Sequence, residues 1–236
     1  MNLTNLFFRY PTFRENYCKL RFLIYSRLKN LQEFSSDHVL QKEKSKSSLT
    51  NYRSNKNRIT YLVKLVDQLV YNKKNLKVLC CGPRFESELF GLQGIGFKKK
   101  NISAIDTFSY SPRIKAGDIH NTQYLDDSFD LIIAGWTIAY SNTPLKAMSE
   151  FHRILRNGGR LILTWDLPED YNLNDPLIIT LPQNQSDQNQ QIKSLFTPSR
   201  LAVENFKIYR LEVGKLAFSG HVPFAVVILE KIMIAS

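Results

Sequence analysis

From residue 77 onward the chain repeats one pattern: a short apolar run, a glycine or an acid at its end, then a polar or helical stretch leading to the next run. Residues 77–81 (KVLCC), 102–108, 114–118, 129–136 (FDLIIAGW) and 160–165 (RLILTW) are the runs. Helices fit between some of them, over residues 85–93 and 144–156. In the second, Leu145, Met148, Phe151, His152 and Leu155 share a stripe and Gly158-Gly159 supplies the stop. Such βα alternation predicts a doubly wound sheet that is mostly parallel, with helices on its faces. Two later runs, 207–213 and 225–233, are expected to pair at an antiparallel edge.

In an open parallel sheet ligands bind beyond the carboxyl ends of the strands, so the residues just after each strand carry the information. After the first comes Gly82-Pro83-Arg84-Phe85-Glu86-Ser87-Glu88. Gly82 permits a sharp turn and close approach of a ligand, Pro83 stiffens it, and the following helix turns its N–H groups toward the same place. Glu86 and Glu88 serve either a ligand or the helix dipole. After the second strand comes Asp106, 24 residues beyond Gly82, where a carboxylate accepts from two ribose hydroxyls in nucleotide-binding folds. After the third comes Asp118, followed by Ile119 and His120, and after the fourth Gly135-Trp136, then Tyr140 and Ser141.

Read together, residues 78–90 (VLCCGPRFESELF), 104–112 (AIDTFSYSP), 117–136 (GDIHNTQYLDDSFDLIIAGW) and 151–165 (FHRILRNGGRLILTW) resemble the class I S-adenosylmethionine-dependent methyltransferases. The resemblance is to the branch whose first motif is a Gly-Pro-Arg turn, and it covers about residues 77–167. It implies a Rossmann-like fold with S-adenosylmethionine as cofactor. The turn Gly82-Pro83-Arg84 is implied for the methionine part, Asp106 for the ribose, and Asp118 with Ile119 for the adenine. Trp136 is placed over the cofactor or in the core.

The family's usual acid in the first strand and further glycines in the turn are replaced by Cys80, Pro83 and Arg84, so a carboxylate is expected from Glu86 or Glu88 instead. His120 and Tyr140 are the candidates for taking a proton from a hydroxyl acceptor. The other readings are a supporting hydrogen bond for His120 and an aromatic wall for Tyr140. The expected substrate is a small molecule or a sugar-type intermediate, because the Asn-Pro-Pro-aromatic motif of amino-group methylation is absent. The alternative is a non-catalytic protein of the same fold, tethered to nucleic acid or membrane.

Other chemistries find no support. The cysteines and histidines lack zinc-ligand spacing, no P-loop occurs, and Gly82-Pro83-Arg84 is not the Gly-x-Gly-x-x-Gly turn of a nicotinamide enzyme.

Charge separates the front of the chain from the rest. The 236 residues carry a formal charge of +11. Residues 1–76 hold 15 Lys+Arg and 5 Asp+Glu, for +10, which leaves residues 77–236 at +1. The expected division is therefore a basic, aromatic-rich helical extension and linker over 1–58, and a methyltransferase-like domain over 59–236. Pro11 is expected to interrupt any early helix, and residues 15–31 to form one. That helix either packs its aromatic face on the main domain or lies on anionic lipid or nucleic acid. Residues 34–58 read as a polar linker, residues 59–70 as an amphipathic helix, and residues 168–200 as a loop, either a lid or an excursion. Three cysteines, no secretory signal and no span of about 20 apolar residues predict a reducing, cytoplasmic setting.

Overall fold

A computed structural model describes residues 3–28, 31–34, 49, 52, 56–166, 206–215 and 223–232. Most of the linker read over 34–58 and all of the loop read over 168–200 lie outside the described residues. The chain divides into two compact units, Met1–Asp118 and Ile119–Ser236.

In the first unit, α1 (Leu3–Phe7) leads to α2 (Pro11–Leu28). The helical path breaks before Pro11, as expected, and Pro11 itself opens α2, since the first helical position has no use for the N–H that proline lacks. A two-residue strand β1 (Gln32–Glu33) and helix α3 (Lys56–Leu69) follow. Helix α3 buries Ile59, Leu62, Val63, Val66 and Leu69, the positions that its apolar spacing selects. Then come β2 (Val78–Cys81), α4 (Ser87–Gly94), β3 (Ile102–Asp106), β4 (Phe108–Ser109) and β5 (Lys115–Ala116). Strands β2, β3 and β5 pair in parallel, with Cys81 opposite Ile105 and Asp106 opposite Ala116. All four residues of β2 are buried, as expected where both faces of a parallel sheet are covered. The short stretch between β4 and β5 has no helix, and Ser109 Oγ closes it by donating to the Ile114 carbonyl at 2.6 Å.

Helices α1 to α3 pack onto α4 through missing side chains. A Cβ on Gly94 would lie 2.7 Å from the carbonyl carbon of Phe8 and 2.8 Å from the Arg9 nitrogen, and one on Gly91 would lie 2.5 Å from a Val63 methyl. Arg9 Nε donates to the Gly94 carbonyl at 2.8 Å, closing the same contact. Strand β1 pairs with β4, so both ends of α2 are tied to the residues that follow β2 and β3.

The second unit contains β6 (Phe129–Gly135), α5 (Pro144–Ile154), β7 (Leu155–Asp166), β8 (Phe206–Lys215) and β9 (Pro223–Lys231). Strands β6 and β7 are parallel, while β9 lies between β7 and β8 and is antiparallel to both. Helix α5 ends before Gly158-Gly159, which lie inside β7. Asp127 and Ser128 donate their N–H groups to the carbonyls of Arg153 and Ile154 at 3.1 and 2.8 Å, so these need no further helical turn. The two glycines then form an irregularity at which the β6 register jumps from Phe129–Leu155 to Leu131–Arg160. The buried stripe of α5 is Ala147, Met148, Phe151 and Ile154, and Leu145 faces solvent.

Candidate active site

The turn after β2 is held in an uncommon backbone conformation. Gly82 has φ 68° and Arg84 has φ 49°, a left-handed value that a residue bearing a Cβ seldom takes. Two bonds hold it there: the Gly82 N–H donates to the Ile105 carbonyl at 2.8 Å, and the Arg84 N–H donates to Asp106 Oδ2 at 2.9 Å. Asp106 Oδ1 accepts from the Phe108 N–H at 3.3 Å. One carboxylate at the end of β3 thus fixes both its own loop and the Gly82-Pro83-Arg84 turn, and it retains acceptor capacity for a further donor. Desolvation pushes the Asp106 carboxyl above its ordinary pKa, opposed by the Arg84 charge and by the N–H donors. The Gly117 N–H donates to the Asp106 carbonyl at 2.9 Å, which joins the start of the third loop to the same point, with Asp118 next and buried.

The two glutamates of the turn part company. Glu86 is fully buried, and its carboxylate receives both Arg21 nitrogens, one of them at 2.8 Å, and the Ser111 hydroxyl at 2.5 Å. It faces α2, which it anchors. Glu88 turns under the turn to Cys80, the place where the family's strand acid is expected. The Cys80 thiol donates to its carboxylate, and Glu88 Oε1 has no partner among the described residues. Burial pushes the Glu88 carboxyl up to about 7.

The sign of the resulting pH dependence follows from linkage. With a folded pKa near 7 and an ordinary value of 4.5, Glu88 holds a proton that the unfolded chain has already released. Its contribution to stability is fully present below about pH 4.5 and is lost as pH rises through about 7. Urea unfolding across that interval is expected to show a decline that Glu88→Gln removes, amounting to about 3 kcal/mol at most. Equal slopes in the two proteins would remove Glu88 from this role.

Helix α2 supports the turn in a way that sequence reasoning missed. Phe22 meets Phe85 edge-on at 5.6 Å and Tyr110 at 5.0 Å, and the Glu86 N–H donates to the Tyr110 hydroxyl at 3.4 Å. Beside them, buried Arg14 donates to Ser87 Oγ, Thr60 Oγ1 and the Phe8 carbonyl, while buried Glu15 accepts from Tyr52 and Ser87. An Arg-Glu pair next to aromatic residues was the available signal, but nothing in the sequence named Glu86 or Ser87 as its partner.

In the second unit, Trp136 follows β6 with φ 53°. Its N–H donates to the carbonyl and hydroxyl of Thr164 at 2.9 and 3.1 Å, its indole N–H donates to Asp166 Oδ1 at 2.7 Å, and its ring lies 5.7 Å from Phe224. Ile119 is buried. His120 is buried as well, its Nε2 2.6 Å from Ser141 Oγ, which also receives the Thr143 N–H at 3.0 Å. Tyr140 ends a 3-10 turn (Ile138–Tyr140) and is 41% exposed. Next to His120, Thr122 donates both its N–H and its hydroxyl to Glu150 Oε1. Burial opposes ionisation of Glu150, but the Arg153 and Thr122 donors outweigh it and hold the carboxyl at about 2.

Residues 94–163 match the profile of the family described as a methyltransferase domain. The matched segment contains Asp106, Asp118 and Trp136 and begins beyond Gly82-Pro83-Arg84. No curated protein sequence matches the chain. Among solved structures, an S-adenosylmethionine-dependent methyltransferase from Methanosarcina mazei superposes with a TM-score of 0.51 at 14% identity, covering 72% of this chain and 98% of that one. The N-methyltransferase NodS from Bradyrhizobium japonicum WM9, solved with S-adenosyl-L-homocysteine, gives 0.52 at 12% identity over 80% and 97%. The [4+2]-cyclase SpnF gives 0.52 at 14% identity over 93% and 95%. At such identities the likeness is one of fold. The fold so defined is a Rossmann-like α/β architecture, mostly parallel with antiparallel pairing at β9, in which residues 94–163 are similar to a methyltransferase domain.

Proposed function

We propose that this chain is an S-adenosylmethionine-dependent methyltransferase acting on a small molecule or a sugar-type intermediate. The observation that carries the reading is Asp106, whose carboxylate fixes the left-handed Gly82-Pro83-Arg84 turn and keeps acceptor capacity for a further donor. The cofactor's groups suit what this unit offers. Ribose hydroxyls are donors for Asp106, and the positive φ of Gly82 allows close approach of the methionine part. The orphan Oε1 of Glu88 is an acceptor that suits the cofactor's ammonium group. Glu88 therefore takes the place that the sequence left open between the two glutamates, and Glu86 is left to anchor α2. For Asp118, Ile119 and Trp136 the assignment rests on the resemblance alone.

When bound, S-adenosylmethionine supplies an electrophilic methyl group. The chain's own part is to orient the cofactor through Asp106 and the turn, and to take a proton where the acceptor is a hydroxyl. Of the two candidates, His120 is the chemically suited proton acceptor, its Nε2 beside Ser141 Oγ, and exposed Tyr140 fits the other reading, an aromatic wall.

Titration calorimetry with S-adenosylmethionine tests the reading, with binding in the micromolar range expected. Because a [4+2]-cyclase shares the fold, transfer of a labelled methyl group has to be measured as well; binding without transfer to any acceptor would favour the non-catalytic alternative. Among the described residues no helix is long and apolar enough to cross a membrane, and Cys18, Cys80 and Cys81 are buried cysteines outside any disulfide. We infer a reducing, cytoplasmic setting from these cysteines, and contact with an anionic partner through the basic residues within 1–58.

A further inference from the structure

Helix α2 has its polarity reversed. Its inner face buries Arg14, Glu15, Cys18 and Phe22. Its outer face carries Phe13, Leu20, Leu23, Ile24 and Leu28, each between 42% and 75% exposed. At 100° per residue, Phe13, Leu20 and Ile24 fall on one line with Leu23 and Leu28 to either side, so the exposed apolar residues share one face, in which Asn16 and Arg27 are the polar members. Leu6, Phe7 and Tyr10, exposed just before α2, extend it. The charges beside the stripe are all positive: Arg9, Lys19 and Arg27 are exposed, whereas the single acid of α2, Glu15, is buried. A cavity of about 740 Å³ opens beside it, with Phe7 and Phe13 belonging to both stripe and cavity wall, and Tyr25, Arg21 and Arg113 lining the rest. Arg113 lies 4.6 Å over the ring of Phe90.

From this juxtaposition we propose that the outer face of α2 and the cavity beside it dock the protein on an anionic lipid bilayer. Aliphatic side chains enter the boundary between headgroups and acyl chains, and the flanking cations meet lipid phosphates. Lys99 and Arg113 line the cavity and give its wall the chemistry to hold a phosphate headgroup. The charge argues against a second copy of the chain on this face, since the exposed cations Arg9, Lys19 and Arg27 would meet the same cations of the partner copy. The aliphatic stripe argues against RNA, whose bases stack on aromatic and guanidinium planes and gain little from leucine and isoleucine. The inference goes beyond the methyltransferase reading and does not depend on it.

The test is co-sedimentation of the full chain with phosphatidylcholine vesicles, with and without phosphatidylglycerol. Binding is expected only to the vesicles containing phosphatidylglycerol, and is expected to fall in high salt. Leu20→Ser with Ile24→Ser is expected to weaken it about tenfold or more through lost apolar burial. Lys19→Glu with Arg27→Glu is expected to do at least the same, at about fivefold per cation. Both pairs are solvent-facing and should leave Tm and S-adenosylmethionine affinity unchanged. The proposal is overturned if anionic vesicles are not bound, or if the variants bind them as the parent does. It is equally overturned if the variants instead abolish a concentration-dependent dimer or an RNA complex while vesicle binding persists.

Discussion

Asp106→Ala is expected to weaken S-adenosylmethionine binding about a hundredfold or more. Two ribose hydroxyls donating to an ionised carboxylate contribute roughly 1.5–3 kcal/mol each, and about 1.4 kcal/mol is a factor of ten in affinity. A second loss adds to this, because the Arg84 and Phe108 N–H groups lose their acceptor and the left-handed turn loses its tie to β3. Asp106→Asn separates the two contributions. It keeps a carbonyl oxygen for the Arg84 N–H while removing the charge, so it is expected to preserve the melting temperature better than it preserves affinity. Calorimetric titration of the three proteins with S-adenosylmethionine decides the matter. Affinity within about twofold of the parent in Asp106→Ala would end the ribose assignment.

Arg21→Met is expected to lower stability by about 3–5 kcal/mol, since removing one partner of a buried ion pair leaves the other uncompensated. Glu86 is fully buried and the Arg21 side chain is 18% exposed, with two guanidinium nitrogens on the two carboxylate oxygens. Arg21 also lies 4.8 Å over the Tyr25 ring, so its place is held from two sides. The double change Arg21→Met with Glu86→Gln is expected to cost less than Arg21→Met alone, because neither charge is then left buried. Urea unfolding of the two single variants and the double variant measures this. If the double variant were as unstable as the sum of the singles, the pair would not be coupled.

The βα order, the strands and the positions after them were legible because apolar runs ended by glycine or aspartate report directly on a parallel sheet. Asp106 was singled out by its place after the second strand, 24 residues beyond Gly82, and the structure adds that its carboxylate fixes the turn. Pro11 does mark the break between α1 and α2, but α2 starts at Pro11 itself and not near Glu15, because the residue that forbids a helix interior is favoured at a helix start. The pair Gly158-Gly159 misled: Asp127 and Ser128 satisfy the last carbonyls of α5, so no glycine was needed to end it. What could not be read was long-range pairing of polar groups. Arg14 and Glu15 look like surface residues of a basic helix, and only the partners Ser87, Thr60 and Tyr52, distant in sequence, explain their burial. The choice between Glu86 and Glu88 had the same cause, since their roles depend on Arg21 and Cys80.

The position of β9 between β7 and β8 governs the order in which the second unit can assemble. Strand β8 leaves the ribosome before the strand to which it pairs, and β7 waits longer still for the same partner. Until residues 223–231 arrive, the exposed edge of β7 and the whole of β8 have only solvent or another nascent chain to bond with. Folding of this half is therefore late and non-local, and its period of greatest exposure to aggregation falls during synthesis of β8 and the segment before β9.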